Sequence, residues 1–308
     1  MNEVCPICDS ENIAIRCEYR GVHSAFIGLG RSHCSTCGMV FASPMPSDTV
    51  LEEYNASYFA TAHGGQPRNK AALGFFLGIA HLRLAHIERY LAIQNIVVSS
   101  LLELGPGAGF FASKWLERYP KTNYLACETD ASCHADLHEI GVDLLQTTAL
   151  MEDGNAIDLV VMSHVLEHVS DPVRFLSEAT QNLNKGGALF IEVPCRDYEH
   201  KPIDEPHLLF FEKESMQHLL KKLGFDNIQV SYHGQKIEEL GSNSFFQIKW
   251  MALRSRLISL GLIAPFSSVR PGMEMLSNPI ERAMVAPFEA HRESSQPAWW
   301  LRALATKC

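Results

Sequence analysis

The sequence predicts an α/β fold with a mainly parallel sheet covered by helices on both faces. Between about residues 99 and 253, short apolar runs of strand length alternate with amphipathic segments of helix length, as in sheets built from strands and crossover helices. A glycine-rich loop at 105–109 lies at the first strand–helix junction. Two Cys-x-x-Cys pairs precede this region and indicate a separate small unit.

The elements follow in order along the chain. The expected strands are 100–104, 123–128, 142–145, 157–164 and 188–194, with 227–232 and 244–253 as two closing strands. Apolar residues recur at helical spacing from Asn69 to Gln94, and Gly224 ends a helix that begins at Lys213. Residues 254–308 contain several prolines and no strand pattern, so we expect short helices and loops there.

Four parts are therefore expected: a cysteine-rich unit at 1–45, a helical linker or lid at 46–98, the α/β core at 99–253, and a C-terminal helical extension at 254–308. The composition of the 308 residues, 46% hydrophobic and 20% charged, is that of a globular protein. Trp299 and Trp300 form an apolar patch. We expect it to pack on the body of the protein, with a second subunit or a membrane surface as alternatives.

The net charge of −9 disfavours broad contact with nucleic acid or an anionic membrane, since both attract positive surfaces. No stretch of 18 apolar residues and no signal peptide is visible, so we expect no spanning helix and a cytoplasmic location. Oligomeric state is left open, and a local basic patch or peripheral membrane contact remains compatible with this charge.

Four of the nine cysteines form two Cys-x-x-Cys pairs, namely Cys5, Cys8, Cys34 and Cys37. Each pair can direct two thiolates at one tetrahedral ion, and zinc accepts four such sulfurs in a closed structural site. A closed site has no open coordination position, so we expect zinc to stabilise the small unit without a role in catalysis. The alternatives are unrelated cysteine pairs or a redox pair.

The glycine-rich loop has the spacing Gly-x-Gly-x-Gly, with glycines at Gly105, Gly107 and Gly109, and Glu103 lies just before it. Glycines let the backbone pass close to a ligand. The helix expected at 110–118 would then point its first N–H groups at that ligand. The loop alone predicts a nucleotide-type ligand.

A second acidic residue, Glu128, ends the next expected strand, nineteen residues after Gly109. In a nucleotide-binding sheet, a carboxylate at this position can accept hydrogen bonds from both ribose hydroxyls. Asp130 is the alternative acceptor, and a solvated strand end is the structural alternative for Glu128.

These motifs together resemble class I S-adenosylmethionine (SAM) dependent methyltransferases over roughly residues 99–253. The segments that carry the resemblance are Glu103–Gly109, Asp158–Pro172, Leu183–Pro194, His207–Phe211 and the Leu-Gly-Phe that ends at Phe225. The cysteine unit, followed by Phe41–Pro44, Tyr54 and Tyr58, resembles the zinc ribbon of a subgroup that includes methyltransferases of sugars, glycans and secondary metabolites. The resemblance implies a Rossmann-like, seven-stranded sheet whose last strand is antiparallel.

The resemblance also implies a role for each matching residue. Glu103 would orient the methionine amino group of SAM, Gly105 and Gly107 would line its methionine and ribose, and Glu128 would hold the ribose diol. The other residues assigned to the cofactor are Gly109 in the loop, Thr148, Ala149 and Leu150 near the adenine, and Ser163 and His164 beside the methionine. A small hydrophobic residue often precedes the acid of the second strand, and this chain has Cys127 there.

Methyl transfer is a displacement at a sulfonium carbon, so the protein mainly aligns the nucleophile and excludes water. A hydroxyl nucleophile also needs a base, and histidine suits that role near neutral pH. His207, in a polar loop after the fifth strand, is the first candidate, and His168, after the fourth strand, is the second. The alternative for both is a packing or capping role.

The sequence thus predicts methyl transfer to a small-molecule or glycan acceptor, first of all to a hydroxyl of a sugar or polysaccharide. A sugar C-methyltransferase and a zinc-ribbon RNA methyltransferase of the ribosomal type are the alternatives, and the acidic charge disfavours the second of these. The non-enzyme alternative is a zinc-ribbon binding module on a core that has lost catalysis, which the complete cofactor loop disfavours.

Overall fold

A computed structural model of the chain describes residues 4–56, 70–145, 156–240, 245–260 and 293–308. These residues form two sheets and the helices that cover them. The expectations for Thr148, Ala149 and Leu150 lie outside the described residues, as do those for 57–69 and 261–292.

The smaller sheet contains the N-terminal strands and one strand from the core. Its members are β1 (Ile13–Glu18), β2 (Gly30–Cys34), β3 (Val40–Ser43) and β9 (Leu209–Phe210), in the order β1-β2-β3-β9. All neighbours are antiparallel. Because β9 belongs to the core sequence, the N-terminal unit is joined to the core by main-chain hydrogen bonds.

The larger sheet forms the core. Its strands are β4 (Ser100–Leu104), β5 (Asn123–Cys127), β6 (Asp143–Leu144), β7 (Ile157–Ser163), β8 (Leu183–Pro194), β10 (Phe225–Lys236), β11 (Glu293–Ser294) and β12 (Ala298–Lys307). Their order is β11-β10-β12-β8-β7-β4-β5-β6. Neighbouring strands in the run β8-β7-β4-β5-β6 are parallel. β12 is antiparallel to both of its neighbours, β8 and β10.

The predicted α/β class is therefore confirmed, but the predicted count of seven strands is not. The described residues contribute eight strands to this sheet, and the additional one, β11, has two residues and lies at the edge beside β10. Among the described helices, none is both long and apolar enough to cross a membrane.

The described residues also form seven α-helices. They are α1 (Asp48–Asn55), α2 (Lys70–Gln94), α3 (Phe110–Arg118), α4 (His134–Ile140), α5 (Pro172–Ala179), α6 (Lys213–Lys222) and α7 (Phe245–Ser259). α5 shows how a local sequence fixes a helix start, because the Asp171 side chain accepts a hydrogen bond from Arg174 N and Pro172 occupies the first turn. α2 packs over one sheet face with Ile87 and Tyr90 buried.

The predicted C-terminal helical extension is wrong for residues 298–307, which form β12 between β8 and β10. Leu301 and Ala303 pack on one face of the sheet and Leu304 packs on the other. A strand buried on both faces lacks the alternation of polar and apolar residues that marks a half-exposed strand. The core consequently does not end at residue 253, because β12 belongs to the same sheet.

Two further expectations concern a closing strand at 244–253 and the apolar patch at Trp299 and Trp300. The strand expected at 244–253 is wrong for the described residues 245–253, which belong to α7, a helix that continues to Ser259. The apolar patch at Trp299 and Trp300 packs inside the protein as expected, with Trp300 buried against Ile79 of α2.

Candidate active site

The glycine-rich loop turns sharply between the end of β4 and the start of α3. Gly105 and Gly109 have φ angles of +65° and +72°, a region that side chains disfavour. A Cβ atom on Gly105 would lie 2.6 Å from Val165 Cγ2, and one on Gly109 would lie 2.6 Å from Ile140 Cδ1. Glycine is therefore required at both positions, and the loop packs against the segment that follows β7.

Glu103 lies inside the protein just below this loop, 3% exposed. The hydroxyl of Tyr124 donates a hydrogen bond of 2.5 Å to its Oε2 atom. Burial raises the pKa of Glu103 to about 7, although the Tyr124 hydrogen bond and the charge of Arg83 oppose this rise.

Glu128 follows β5 and is bound to the same loop. Its Oε2 atom accepts a hydrogen bond of 2.8 Å from Gly107 N, and its Oε1 atom accepts one of 2.9 Å from Asp130 N. The side chain of Asp130 is instead used locally, where its Oδ1 accepts a hydrogen bond from Ser132 N at the start of a short helix. Of the two acidic residues, only Glu128 forms a hydrogen bond with the glycine-rich loop.

The end of β7 carries the next two expected residues. Ser163 Oγ is buried and finds no hydrogen-bond partner among the described residues. His164 has a positive φ of +58°, and its Nδ1 and Nε2 lie 3.2 Å and 3.5 Å from carboxylate oxygens of Glu167 and Glu192. Burial would lower the pKa of His164, but these two carboxylates outweigh burial and raise it.

Glu192, on β8, is a buried residue of this site that sequence reasoning missed. It is fully buried between Arg83 Nε of α2 at 2.7 Å and Arg302 Nε of β12 at 2.6 Å. Burial would raise the pKa of Glu192, but the two guanidinium groups hold it well below its usual range. The available signal was a single charged residue inside each of two apolar runs, Glu192 in 188–194 and Arg302 in 298–305.

His207 lies beside His168 in a buried group of histidines and carboxylates. Its Nδ1 is 2.5 Å from Asp197 Oδ2, and its ring centroid is 4.9 Å from that of His168. Burial opposes ionisation of Asp197, but His207 and Lys201 hold its pKa below the usual range. Burial lowers the pKa of His168 to about 3, so His168 is neutral near pH 7.

The structure therefore brings the expected residues together as two adjacent groups at the carboxyl edge of the larger sheet. One group is the glycine-rich loop with Glu103 and Glu128. The other contains the expected residues His164, His168 and His207 together with two further carboxylates, those of Glu167 and Asp197. The contact between Gly105 and Val165 joins them. One donor atom of each of Glu167, His168 and His207 lies within 4.8 Å of the other two, which shows how compact the second group is.

The four cysteines of the N-terminal unit converge at one point. Their Sγ atoms lie within 4.8 Å of one another, with 3.5 Å between Cys5 and Cys37 and between Cys8 and Cys34. Tetrahedral zinc with Zn–S bonds of about 2.3 Å separates its sulfurs by about 3.8 Å. The donor set and its spacing fit a closed four-sulfur zinc site.

Comparison with known proteins gives a family match for part of the chain. Residues 78–230 match a family model described as a methyltransferase domain. A ubiquinone biosynthesis O-methyltransferase of Parvibaculum lavamentivorans is 40% identical over 63 residues, which is 20% of this chain and 25% of that protein. The chain is thus aligned with about a quarter of the length of this relative.

Solved structures with a similar course of the chain are also methyltransferases. One is a possible histamine N-methyltransferase of Thermotoga maritima, with 18% identity, coverage of 76% of this chain and 100% of the other, and a TM-score of 0.44. Another is the phosphoethanolamine N-methyltransferase 2 of Haemonchus contortus in complex with S-adenosyl-L-methionine, with 14% identity, coverage of 87% and 62%, and a TM-score of 0.49. At these scores the likenesses add nothing to the family match. The match of residues 78–230 to a methyltransferase domain confirms the enzyme class that the sequence predicts.

Proposed function

We propose that this chain is a SAM-dependent methyltransferase that methylates a hydroxyl of a small-molecule or glycan acceptor, first of all of a sugar or polysaccharide. The observation that carries the proposal is the contact between Gly105 and Val165. It sets the loop suited to a nucleotide-type ligand directly beside a buried group of histidines and carboxylates.

The loop and its two acidic residues suit SAM. Glu103, which burial leaves poorly solvated, would accept the methionine ammonium group. Glu128 uses one lone pair of each carboxylate oxygen for Gly107 N and Asp130 N, and a second lone pair on each oxygen is available for the ribose hydroxyls. Ser163 Oγ, buried without a partner among the described residues, would face the methionine part.

SAM, when bound, supplies an electrophilic methyl group. The chain's own contribution is to orient the acceptor and remove its proton. His207 is proposed as the base, because Asp197 accepts from Nδ1 at 2.5 Å and so favours the tautomer whose Nε2 lone pair can take a proton. His168 is the second candidate. Burial of this group limits water, which would compete with the acceptor for the methyl group.

Calorimetric titration with SAM tests the cofactor assignment without knowledge of the acceptor. We expect one binding site per chain and a loss of affinity of about tenfold or more in Glu128→Ala, since that variant removes both proposed ribose contacts. A matched control is Asp143→Ala, at the exposed first residue of β6. Absence of SAM binding by the unchanged protein would refute the proposal.

The acceptor class requires a second assay. Methyl-labelled SAM is incubated with sugar nucleotides, polysaccharides and small phenols, and NMR of the product then distinguishes O-methylation from C-methylation. Retained binding to bulk RNA at moderate salt would instead favour the RNA methyltransferase alternative, which the net charge of −9 disfavours.

We further propose that the four N-terminal cysteines hold a structural zinc ion. The support is the convergence of four sulfurs within 4.8 Å in a set that leaves no position open for a substrate. Metal analysis of the purified protein is expected to return about one zinc per chain, and a value near zero would refute this site.

A further inference from the structure

The loop that carries His207 is held by the N-terminal unit through a buried carboxylate. The Asp204 side chain is fully buried, with Oδ1 2.5 Å from Arg20 Nη2 and Oδ2 2.9 Å from Arg31 Nη1. Backbone hydrogen bonds add to this contact, since Arg20 N donates to Asp204 Oδ2 at 2.8 Å and Asp204 N donates to Arg20 O at 2.8 Å. Both arginines belong to the N-terminal unit, whereas Asp204 precedes His207 by three residues.

The same unit holds the rest of the loop. Glu205 Oε2 accepts hydrogen bonds from Val22 N at 2.7 Å and His23 N at 2.9 Å. The hydroxyl of Tyr19 donates to the carbonyl of His207 itself at 2.9 Å, and His207 N donates to Asp204 O at 3.0 Å. The backbone on both sides of the His207 side chain is therefore fixed by residues of the N-terminal unit.

Main-chain pairing extends this attachment past the histidine. Ala42 N donates to Leu208 O at 2.7 Å, and β3 pairs with β9 through Val40 and Phe210. On the core side, Leu208 N donates to Glu167 O at 2.8 Å. The loop thus lies between the N-terminal unit and the segment after β7.

We propose that the N-terminal unit is a positioning element of the active site, and that Asp204 is the residue through which it fixes His207. This inference rests on the proposed role of His207 as base. A buried carboxylate bonded by two guanidinium groups and a backbone amide has one well-defined arrangement. Because Asp204 is held in this arrangement, the backbone path of the next three residues is fixed. The position of the His207 imidazole is fixed with it.

Asp204→Asn tests the inference, with Asp48→Asn as the matched control. Asp48 also joins the N-terminal part to the core, through Arg174 at 2.6 Å, but both side chains are about half exposed. We expect amide hydrogen exchange of residues 204–211 to become about tenfold faster in Asp204→Asn. The proton resonance of the His207 Nδ1–H, which the short bond to Asp197 shifts downfield, should move or broaden. Asp48→Asn should leave both signals unchanged.

Four results distinguish positioning of His207 from stabilisation of the whole protein. Equal acceleration of exchange along the whole chain, or an unchanged His207 resonance in Asp204→Asn, would overturn the proposal. Arg31→Lys should retain more of the native His207 resonance than Arg31→Met, because only lysine keeps a charge for Asp204. SAM affinity should remain within about twofold in all these variants, since the cofactor loop is held by other contacts. A failure of SAM binding in the unchanged protein would concern the proposed function and not this inference.

Discussion

Replacement of Glu103 by glutamine removes a buried carboxyl group whose pKa is raised by burial. In the folded protein the Glu103 pKa is raised from 4.5 to about 7, with burial as the main cause. The folded state therefore binds this proton more tightly than the unfolded state does. The contribution of Glu103 to the free energy of unfolding is greatest below about pH 4.5, falls as the pH rises to about 7, and is constant above that value.

The magnitude follows from the two pKa values. They differ by about 2.5 pH units, and each unit corresponds to about 1.4 kcal/mol, which gives about 3 kcal/mol. The glutamine side chain carries no charge at any pH, so Glu103→Gln should lack this loss of stability. Between pH 5 and pH 8, the free energy of unfolding of the variant relative to the unchanged protein should rise by about 2.5 kcal/mol, because part of the change lies below pH 5.

Urea unfolding at a series of pH values from 5 to 8 measures this difference without SAM. Comparing the two proteins cancels the other groups that titrate in the same range. SAM affinity supplies the functional counterpart: in the unchanged protein it should fall about tenfold for each pH unit below 7, because the proposed contact with the ammonium group requires the carboxylate. Parallel stability profiles for the two proteins would show that Glu103 does not titrate in this range and would refute the reasoning.

Contacts elsewhere in the chain give three further predictions. Cys8→Ser should lower the zinc content well below one per chain and lower the thermal unfolding midpoint, as measured by metal analysis and calorimetry. Asp197→Asn should lower turnover about 100-fold or more, because His207 then loses its tautomer preference, with the SAM Kd unchanged in calorimetry. Gly105→Ala should destabilise by about 1–3 kcal/mol in urea unfolding, since its Cβ would meet Val165 at a positive φ.

Each of these variants has a control in the same chain. Cys17→Ser changes an exposed cysteine outside the cluster and should keep its zinc. Gly224→Ala places a Cβ at a positive φ of +75° with nothing within 4 Å, so its cost measures backbone strain alone. If Gly105→Ala lowers the free energy of unfolding no more than Gly224→Ala does, the predicted clash with Val165 is contradicted. Unchanged turnover in Asp197→Asn would remove His207 from the mechanism.

The core of the fold could be predicted because its parallel strands are buried on both faces. In β7, residues 159–162 form a continuous apolar run for this reason. β12 could not be identified by the same rule, since Arg302 interrupts its run and its pairing partners lie far away in the sequence. A strand that is specified by distant neighbours leaves little local signal.

In the candidate site, too, contacts between residues close in sequence could be predicted, whereas contacts between distant residues could not. Glu103 and the three glycines could be predicted because a strand–loop–helix unit places them within a few residues of one another. The ion pair of Glu192 with Arg302 joins residues 110 positions apart, and the contacts of Asp204 with Arg20 and Arg31 cross more than 170 positions. The sequence around one residue of such a pair does not identify its partner.

The position of β12 has a consequence for the order in which the chain can acquire its structure. β8 and β10 both precede β12 in sequence, yet in the sheet they are separated by it. During synthesis, both strands emerge with an unpaired edge that no earlier segment of this sheet covers, and open edges invite pairing with other chains. Arg302 lies in β12 and pairs with Glu192. The buried carboxylate of Glu192 therefore gains its second guanidinium partner only after β12 has been synthesised and has paired with β8.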